Sequence, residues 1–210
     1  MNSEQCDGGK YMKKVLLYTL ILCSFIMMIG CKKQEILLSA DDITTNTFLI
    51  KRNGNLYVAI VEDFDKSYYN LSELNEFVAK EVNAYNQKVG SKEVTIESLE
   101  LKNGKVVMIL GYSKMAHYSA FNNMPAAYFG ADTQNVALEL PSQYMDAKKS
   151  VAVDKATAFK NSKDKVLVLY EPYEIIVEGN IRYYSENATL ADSNKVRSMN
   201  DDMTVVIFRP

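Results

Sequence analysis

The stretch TFLIKRNGNLYVAIV, residues 47–61, decides the fold. Two runs of apolar, aromatic and β-branched residues flank Asn53-Gly54, and an Asn-Gly pair between such runs is the strongest short-range signal of a β-hairpin. A type I′ turn needs positive φ at both central residues, which asparagine and glycine tolerate. The stretch therefore predicts a hairpin with a type I′ turn at Asn53-Gly54.

A helix is predicted directly after this hairpin. Apolar residues recur there at the helical spacing of three and four. Asn70 with Glu73 is typical of an N-cap and its capping-box partner, and Gly90 is a typical helix end. The residues at helical spacing are Leu74, Phe77, Val78, Val82 and Tyr85.

The same pattern then returns in VTIESLELKNGKVVMILGY, residues 94–112. It predicts a second hairpin around Asn103-Gly104, with a bulge near Ser98 because the apolar residues change face there. A short helix is predicted from Ser113 to about Met124, before Pro125. The two units lie about 50 residues apart, which is consistent with an internal ββα repeat. Shared turn chemistry explains the similarity equally well.

The last third of the chain predicts further strands. KVLVLYEPYEIIVEGNIRYYSEN, residues 165–187, reads as two or three strands with Pro172 breaking the first from the second. MTVVIF, residues 203–208, reads as a final strand. We expect residues 47–210 to form a single α+β domain, with a largely antiparallel sheet built from β-hairpins and helices packed on one face.

The amino-terminal stretch MKKVLLYTLILCSFIMMIGCKKQE, residues 12–35, has the features of an export signal. Lys13 and Lys14 precede residues 15–29, which carry no charge and are too few to span a bilayer, a span that needs about 20 apolar residues. Gly30 and Cys31 follow at once. The alternatives are a short uncleaved anchor and an ordinary signal peptide with an accidental cysteine.

The stretch ending at Cys31 resembles the lipobox of bacterial lipoproteins, with Met28 where that family usually has leucine. The resemblance implies cleavage before Cys31 and attachment of a diacylglycerol, with acyl chains such as palmitate, to its thiol. It covers residues 12–31 only. We therefore predict a signal peptide at 12–30 and a lipidated cysteine with its tether at 31–46. Residues 1–11 are predicted to be a gene-model extension, with the true start at Met12.

Composition narrows the function classes. Removal of residues 1–30 takes away three lysines and two acidic residues, which changes the net charge from −2 to −3. A mildly acidic chain lacks the basic surface of a nucleic-acid binder. Cys6 and Cys23 precede the predicted cut, so the mature domain contains no internal disulfide and no cysteine nucleophile.

Two sets of polar residues invite a chemical interpretation. His117 lies near Ser113 and Ser119, but the Gly-x-Ser-x-Gly nucleophile motif is absent, so we interpret His117 as a packing residue. Glu62, Asp63 and Asp65 could bind calcium. Read against the EF-hand loop, Tyr68 and Leu74 occupy the positions of its glycine and bidentate glutamate. A solvated loop is the better interpretation.

Tyrosine is the one residue type in excess, with fourteen in the chain and no tryptophan. Tyrosine can bind sugars, peptides or a protein partner through its flat ring and hydroxyl. It is also a good strand residue, and in a strand one member of each adjacent pair would face the core. The tyrosines in question are Tyr68, Tyr69, Tyr170, Tyr173, Tyr183 and Tyr184.

These observations predict a cell-envelope lipoprotein held by Cys31 on the extracytoplasmic side of the cell membrane. Its domain is predicted to be a binding or interaction module with a protein or glycan partner, without metal or cofactor and without nucleic acid. The alternative is an envelope hydrolase acting on wall polymers or glycans, with acid-base carboxylates at Asp63 or Glu171. Such an enzyme would bury one of these carboxylates in a concave pocket.

Overall fold

The structure, a computed structural model, describes residues 36–133 and 136–210. The predictions for residues 1–35, including lipidation of Cys31, lie outside these residues. The described residues form three helices and thirteen strands in two largely antiparallel sheets, and about 18% of these residues are helical and 40% lie in strands. The predicted α+β class is confirmed, with two sheets where the sequence suggested one.

The helices are α1 (Leu71–Val89), α2 (Met115–Asn122) and α3 (Lys155–Ala158). The strands are β1 (Thr47–Ile50), β2 (Leu56–Asp63), β3 (Val94–Lys102), β4 (Lys105–Tyr112), β5 (Ala127–Gly130), β6 (Gln143–Asp146), β7 (Ala152–Asp154), β8 (Lys165–Leu169), β9 (Glu174–Val177), β10 (Asn180–Tyr184), β11 (Ala188–Asp192), β12 (Lys195–Ser198) and β13 (Thr204–Arg209). The first sheet, sheet A, has the order β11-β12-β9-β1-β2-β4-β3. The second, sheet B, has the order β5-β8-β13-β10-β6-β7.

The two predicted hairpins form four of the seven strands of sheet A, as the neighbours β1-β2-β4-β3. Asn103 and Gly104 both have positive φ, 50° and 76°, so the β3–β4 connection is a two-residue type I′ turn. The register of β3 shifts between Ile96 and Ser98, which confirms the predicted bulge. β1 lies beside β9 in parallel, whereas the other strand pairs are antiparallel.

The type I′ turn predicted at Asn53-Gly54 is wrong. Gly54 has φ of 90°, but Asn53 does not have positive φ. Gly54 N donates to Lys51 O at 3.0 Å and Lys51 N donates to Asn55 O at 2.8 Å, which defines a three-residue loop with a left-handed glycine. The side chain of Asn53 accepts from Asn55 N at 3.0 Å, a local bond that favours this loop over the tighter turn.

Helix α1 has the predicted caps. The side chain of Asn70 accepts from Ser72 N and Glu73 N, and its amide donates to the Glu73 carboxylate at 3.1 Å. Gly90 ends the helix with φ of 78°. Val78 and Val82 are buried against sheet A, while Leu74 and Tyr85 are half-buried. Phe77, predicted for the same face, is 61% exposed because it lies at the rim of that face.

The main core lies between the inner face of sheet A and three partners, which are α1, α2 and one face of sheet B. The central strands of sheet B, β8 and β13, are buried on both faces, because a second core packs on the other face. Double burial explains why both strands are nearly continuous apolar runs rather than alternating ones. Leu167 and Phe208 point into the main core, and Val166 and Ile207 point into the second core.

The outer face of sheet A is covered by the chain that precedes β1. The compact unit begins at Leu38. Ala40 is buried and Leu38 and Ile43 are half-buried against Val107 and Ile109 of β4. Sheet A is therefore covered on both faces near its middle.

Candidate functional site

Three aromatic side chains form a cluster on the loop between β2 and α1, and this set (Phe64, Tyr68 and Tyr69) is called here the aromatic cluster. The rings of Phe64 and Tyr69 are stacked, with centroids 4.9 Å apart at 27°. Tyr68 meets Tyr69 edge-on, also at 4.9 Å. Tyr68 is 75% exposed and Tyr69 is 43% exposed. The rings of Tyr68 and Tyr69 are thus exposed to solvent, and their contacts with each other and with Phe64 hold them in place.

Backbone hydrogen bonds hold this loop in place. Phe64 N donates to Gly104 O at 2.7 Å, which ties the loop to the β3–β4 turn. Tyr69 N donates to Lys66 O at 3.0 Å, and Asn70 caps α1 immediately afterwards. The cluster is therefore anchored at both ends, to a turn and to a helix start.

Opposite charges surround the aromatic cluster. Asp63 is bonded to Lys105 across the strands, and Asp65 lies 3.4 Å from Lys66. The hydrogen bond and charge of Lys105 hold the pKa of the Asp63 carboxyl below its usual range. The neighbouring Tyr68 is the largest cause that raises the pKa of Tyr69, so this phenol stays neutral at physiological pH. Two ion pairs, Asp63 with Lys105 and Asp65 with Lys66, therefore lie beside the apolar rings.

The sequence could not separate the exposed tyrosines from the core tyrosines. Tyr184 is buried and Tyr183 half-buried, as strand alternation predicts. Tyr68 and Tyr69 are both exposed because they lie on a loop, where strand alternation does not apply. Tyr173 is buried in the main core, where its hydroxyl lies 3.2 Å from that of Tyr118. Tyr170 is half-buried against the second core.

The serines near His117 do not bond to its ring. Ser113 donates its hydroxyl to Glu93, and Ser119 donates to Met124 O. Glu93 instead faces the histidine, with 3.2 Å between Oε2 and His117 Nε2, while Nδ1 lies 3.0 Å from the Tyr85 hydroxyl. A serine hydrolase would need its serine hydroxyl bonded to the imidazole, which would then remove the hydroxyl proton. Here a carboxylate occupies that position.

Glu93 is a residue that the sequence analysis missed. Hydrogen bonds from Ser113 and Ser91 lower the pKa of its carboxyl, and the nearby His117 and Lys114 act in the same direction. The carboxylate therefore stays ionised and joins the start of β3 to α2. It is brought there by tertiary packing, since 24 residues separate it from His117 along the chain, and no local pattern marks it.

The carboxylates proposed for hydrolysis lie elsewhere. Asp63 is exposed and ionised, in contrast to the raised pKa that a general acid needs. Glu171 is half-buried in the turn before β9, where its carbonyl accepts from Tyr173 N at 2.9 Å. Within 36–133 and 136–210, no three His, Cys, Asp or Glu side chains converge to hold a metal ion, so Glu62, Asp63 and Asp65 do not form such a group.

Two grooves flank α1. The first, called the edge groove, has a volume of about 610 Å³ and lies between α1 and β3. The second has a volume of about 490 Å³ and lies between α1 and α2, with Met108 and Leu110 at its floor. The exposed Phe77 stands at the rim of the second groove. Asp63 and Glu171 line neither groove.

In the part of the chain that the structure describes, no helix has the length and apolar character needed to cross a bilayer.

Comparison with known proteins finds no matching family model, no similar curated protein and no similar solved structure.

Proposed function

We propose that this chain is a bacterial cell-envelope lipoprotein, held on the extracytoplasmic side of the cell membrane by a lipid on Cys31, and that its domain is a binding module for a protein partner. The observation that carries the binding role is the exposure of the aromatic cluster. The anchor is supported by the sequence of residues 12–31.

The anchor is supported by charge, length and position. Two lysines precede fifteen uncharged residues, and Cys31 follows that run directly. Lys32 and Lys33 then suit a segment held against anionic headgroups. The compact unit begins at Leu38, seven residues after Cys31, and seven residues span at most about 25 Å. A lipid on Cys31 would therefore keep the domain within that distance of the bilayer surface.

The aromatic cluster has the composition of a protein interface. Exposed Tyr rings at the centre, with paired charges at the rim, match the apolar core and polar rim of such interfaces. A sugar ligand stacks on open ring faces, and the stacking of Phe64 on Tyr69 already covers one face of each of these two rings. This internal stacking favours a protein partner over a glycan.

The anchor is tested by replacing the lipid-bearing sulfur. Cys31→Ser should abolish incorporation of a labelled palmitate analogue and leave an uncleaved precursor or a protein released from the membrane. Cys23→Ser, which lies within the uncharged run, is the matched control and should be lipidated and cleaved as usual. Normal labelling and membrane fractionation of Cys31→Ser would exclude the proposed anchor.

The binding role is tested by crosslinking in intact cells. A protein crosslinked to the natural chain should be lost from the Tyr68→Ala and Tyr69→Ala variants. It should be retained by Phe77→Ala, which removes an aromatic ring of intermediate exposure, 61% against 75% for Tyr68 and 43% for Tyr69, from a different surface. Equal loss in all three variants, or recovery of wall glycan alone, would contradict the proposal that the aromatic cluster binds a protein.

A further inference from the structure

Strand β3 forms one edge of sheet A, and it is the longest edge strand of either sheet, with nine residues. No described strand pairs with it on the side away from β4. An edge strand presents a row of N–H and C=O groups that another extended chain can pair with. The other edge strands, β5, β7 and β11, have four, three and five residues.

The outward groups of β3 can be identified from the pairing. Glu93 O accepts from Ser113 N at 3.0 Å, so the backbone carbonyl of Glu93 points toward β4. The backbone groups of successive residues in an antiparallel strand point alternately to its two sides, so the N–H and C=O groups of Val94 and Ile96 point away from β4. After the bulge, Lys102 and Lys105 flank the two-residue turn as a hydrogen-bonded pair. The N–H and C=O groups of Leu101 and Leu99 therefore point away from β4.

The outward backbone groups of Val94 are already hydrogen-bonded, to the side chain of Asn86. The side chain of Asn86 donates to Val94 O at 2.8 Å and accepts from Val94 N at 3.0 Å. A carboxamide has the same donor and acceptor as a peptide group, so Asn86 bonds to the edge as a neighbouring strand would. Beyond Asn86, the outward groups of Ile96, Leu99 and Leu101 have no strand partner among the described residues.

The side chains of these outward residues are apolar and lie on the α1 side of the sheet. Ile96 and Leu99 are half-buried against the main core, and Leu101 is 49% exposed. The edge groove provides space beside Ile96 for the side chains of an added strand. Lys92 is the one charged residue among those that line this groove. An occupant with a carboxylate at that end would complement the groove's charge.

We propose that the edge of β3 binds an extended peptide segment of a partner protein, which adds to sheet A as an antiparallel strand over residues 96–101. Backbone pairing supplies affinity, and apolar side chains at alternate positions of the peptide pack on Ile96, Leu99 and Leu101. The bulge separates Ile96 from Leu99 by three residues instead of two, so it selects one register. The proposal is independent of the aromatic cluster.

The proposal is tested with the peptide acetyl-Thr-Val-Lys-Val-Thr-Val-Glu-amide, whose carboxyl-terminal glutamate would lie near Lys92. Hydrogen exchange at residue resolution is measured by NMR on the full-length chain in a mild detergent. At saturation the amides of Ile96, Leu99 and Leu101 should exchange with solvent at least about tenfold more slowly than in the free protein, because they gain hydrogen bonds. The Val94 amide, already bonded to Asn86, should not change.

Two controls separate strand addition from nonspecific contact. The same peptide with proline in place of its second and third valines should give no protection, since proline has no N–H to donate. Leu101→Lys, a change at an exposed side chain, should weaken peptide binding roughly tenfold. Val151→Lys, at an apolar side chain of the same exposure elsewhere, should leave binding unchanged.

Either of two results would overturn the proposal. One is the absence of protection at Ile96, Leu99 and Leu101 with saturating peptide. The other is protection of the same amides in the chain alone, together with a dimer in solution, which would make a second copy the occupant of the edge.

Discussion

At the scale of single residues, the hydroxyl of Tyr144 is buried in the second core and has no hydrogen-bond partner among the described residues. Burial raises the pKa of this phenol to about 12. Tyr112, in contrast, is buried in the main core and accepts from the Asn122 amide at 3.1 Å. The two tyrosines therefore differ in what their hydroxyls contribute to stability.

We expect Tyr144→Phe to maintain or raise the free energy of unfolding, by up to about 2 kcal/mol, because it removes an unpaired buried hydroxyl. Tyr112→Phe should lower it by about 1 kcal/mol, because it leaves the Asn122 amide without that acceptor. Urea denaturation followed by circular dichroism gives both values. A loss of stability in Tyr144→Phe as large as that in Tyr112→Phe would contradict this interpretation.

Glu93 gives the protein a predictable response to acid. Its carboxyl has a lowered pKa in the folded state, so its contribution to stability is fully present above its ordinary pKa of 4.5. The contribution is lost as the pH falls below 4.5 and through the folded-state value.

We expect Glu93→Gln to be less stable than the natural protein at pH 7, and the difference to shrink as the pH falls below 4.5. Urea denaturation at a series of pH values measures this. Glu76→Gln, which replaces an exposed carboxylate of α1, is the control for removal of a charge elsewhere in the domain. A difference for Glu93→Gln that stays constant as the pH falls would show that the hydrogen bonds of Glu93 do not depend on its charge.

The two Asn-Gly dipeptides show where prediction from sequence stops at this scale. Both mark turns of hairpins, but Asn103 adopts positive φ whereas Asn53 does not. The difference has a long-range contribution, since Arg52 N donates to Glu178 Oε2 at 2.8 Å from 126 residues away. A dipeptide signal contains no information about such a partner.

At the scale of elements, Asn86 joins the last turn of α1 to the first residue of β3. Its carbonyl oxygen accepts from Glu93 N at 2.9 Å as well as from Val94 N, and its amide donates to Val94 O. The helix and the edge strand are thus fixed together by one side chain. This residue sets the start of β3 and positions Glu93 near His117.

We expect Asn86→Ala to lower the free energy of unfolding by about 1–3 kcal/mol, because three backbone groups lose their partner. The Val94 amide should exchange faster with solvent in this variant. Asn83→Ala, one turn earlier and lining the same groove, is the matched control and should change stability by less than about 0.5 kcal/mol. Equal effects of the two substitutions would show that the bonds of Asn86 contribute little.

The elements with strong local signals were predictable. The caps of α1, the bulge in β3 and the strands β8 to β10 all follow from residues near them in the sequence. Strands β5, β6, β7, β11 and β12 were missed. They have only three to five residues each, too few for a period-2 pattern to stand out in the sequence, so tertiary pairing rather than local sequence selects them.

At the scale of the whole molecule, the two hairpins are arranged about a local two-fold axis. Ala59 pairs with Ile109, and each lies five residues after the glycine of its own turn. The second strands of the two hairpins therefore pair at equivalent positions. This arrangement is what an internal ββα repeat would produce, although shared turn chemistry remains an alternative.

The division into two sheets could not be predicted, because a period-2 pattern specifies a strand and its faces but not the sheet to which it belongs. The candidate sites were predicted only in part. Tyr68 and Tyr69 stand out in the sequence, but their stacking with Phe64 and the pairing of Glu93 with His117 depend on the complete fold.

Residues 38–46 belong to the fold by their contacts, and this gives a prediction for the whole domain. A chain of residues 47–210 should be less stable than one of residues 38–210 by about 2–4 kcal/mol, because it exposes the apolar outer face of sheet A around Val107 and Ile109. Urea denaturation and binding of a hydrophobic dye measure the difference. Equal urea midpoints for the two chains would show that residues 38–46 do not contribute to stability.

The position of β13 has a consequence for biogenesis. This strand lies between β8 and β10 and pairs with both, so sheet B cannot close until residues 204–209 are available. A nascent chain that lacks them has two unjoined halves of a sheet and cannot complete its core. Export through a narrow channel, which the proposed anchor would require, needs an unfolded chain, and this strand order would delay completion of the fold until nearly all of the domain has emerged.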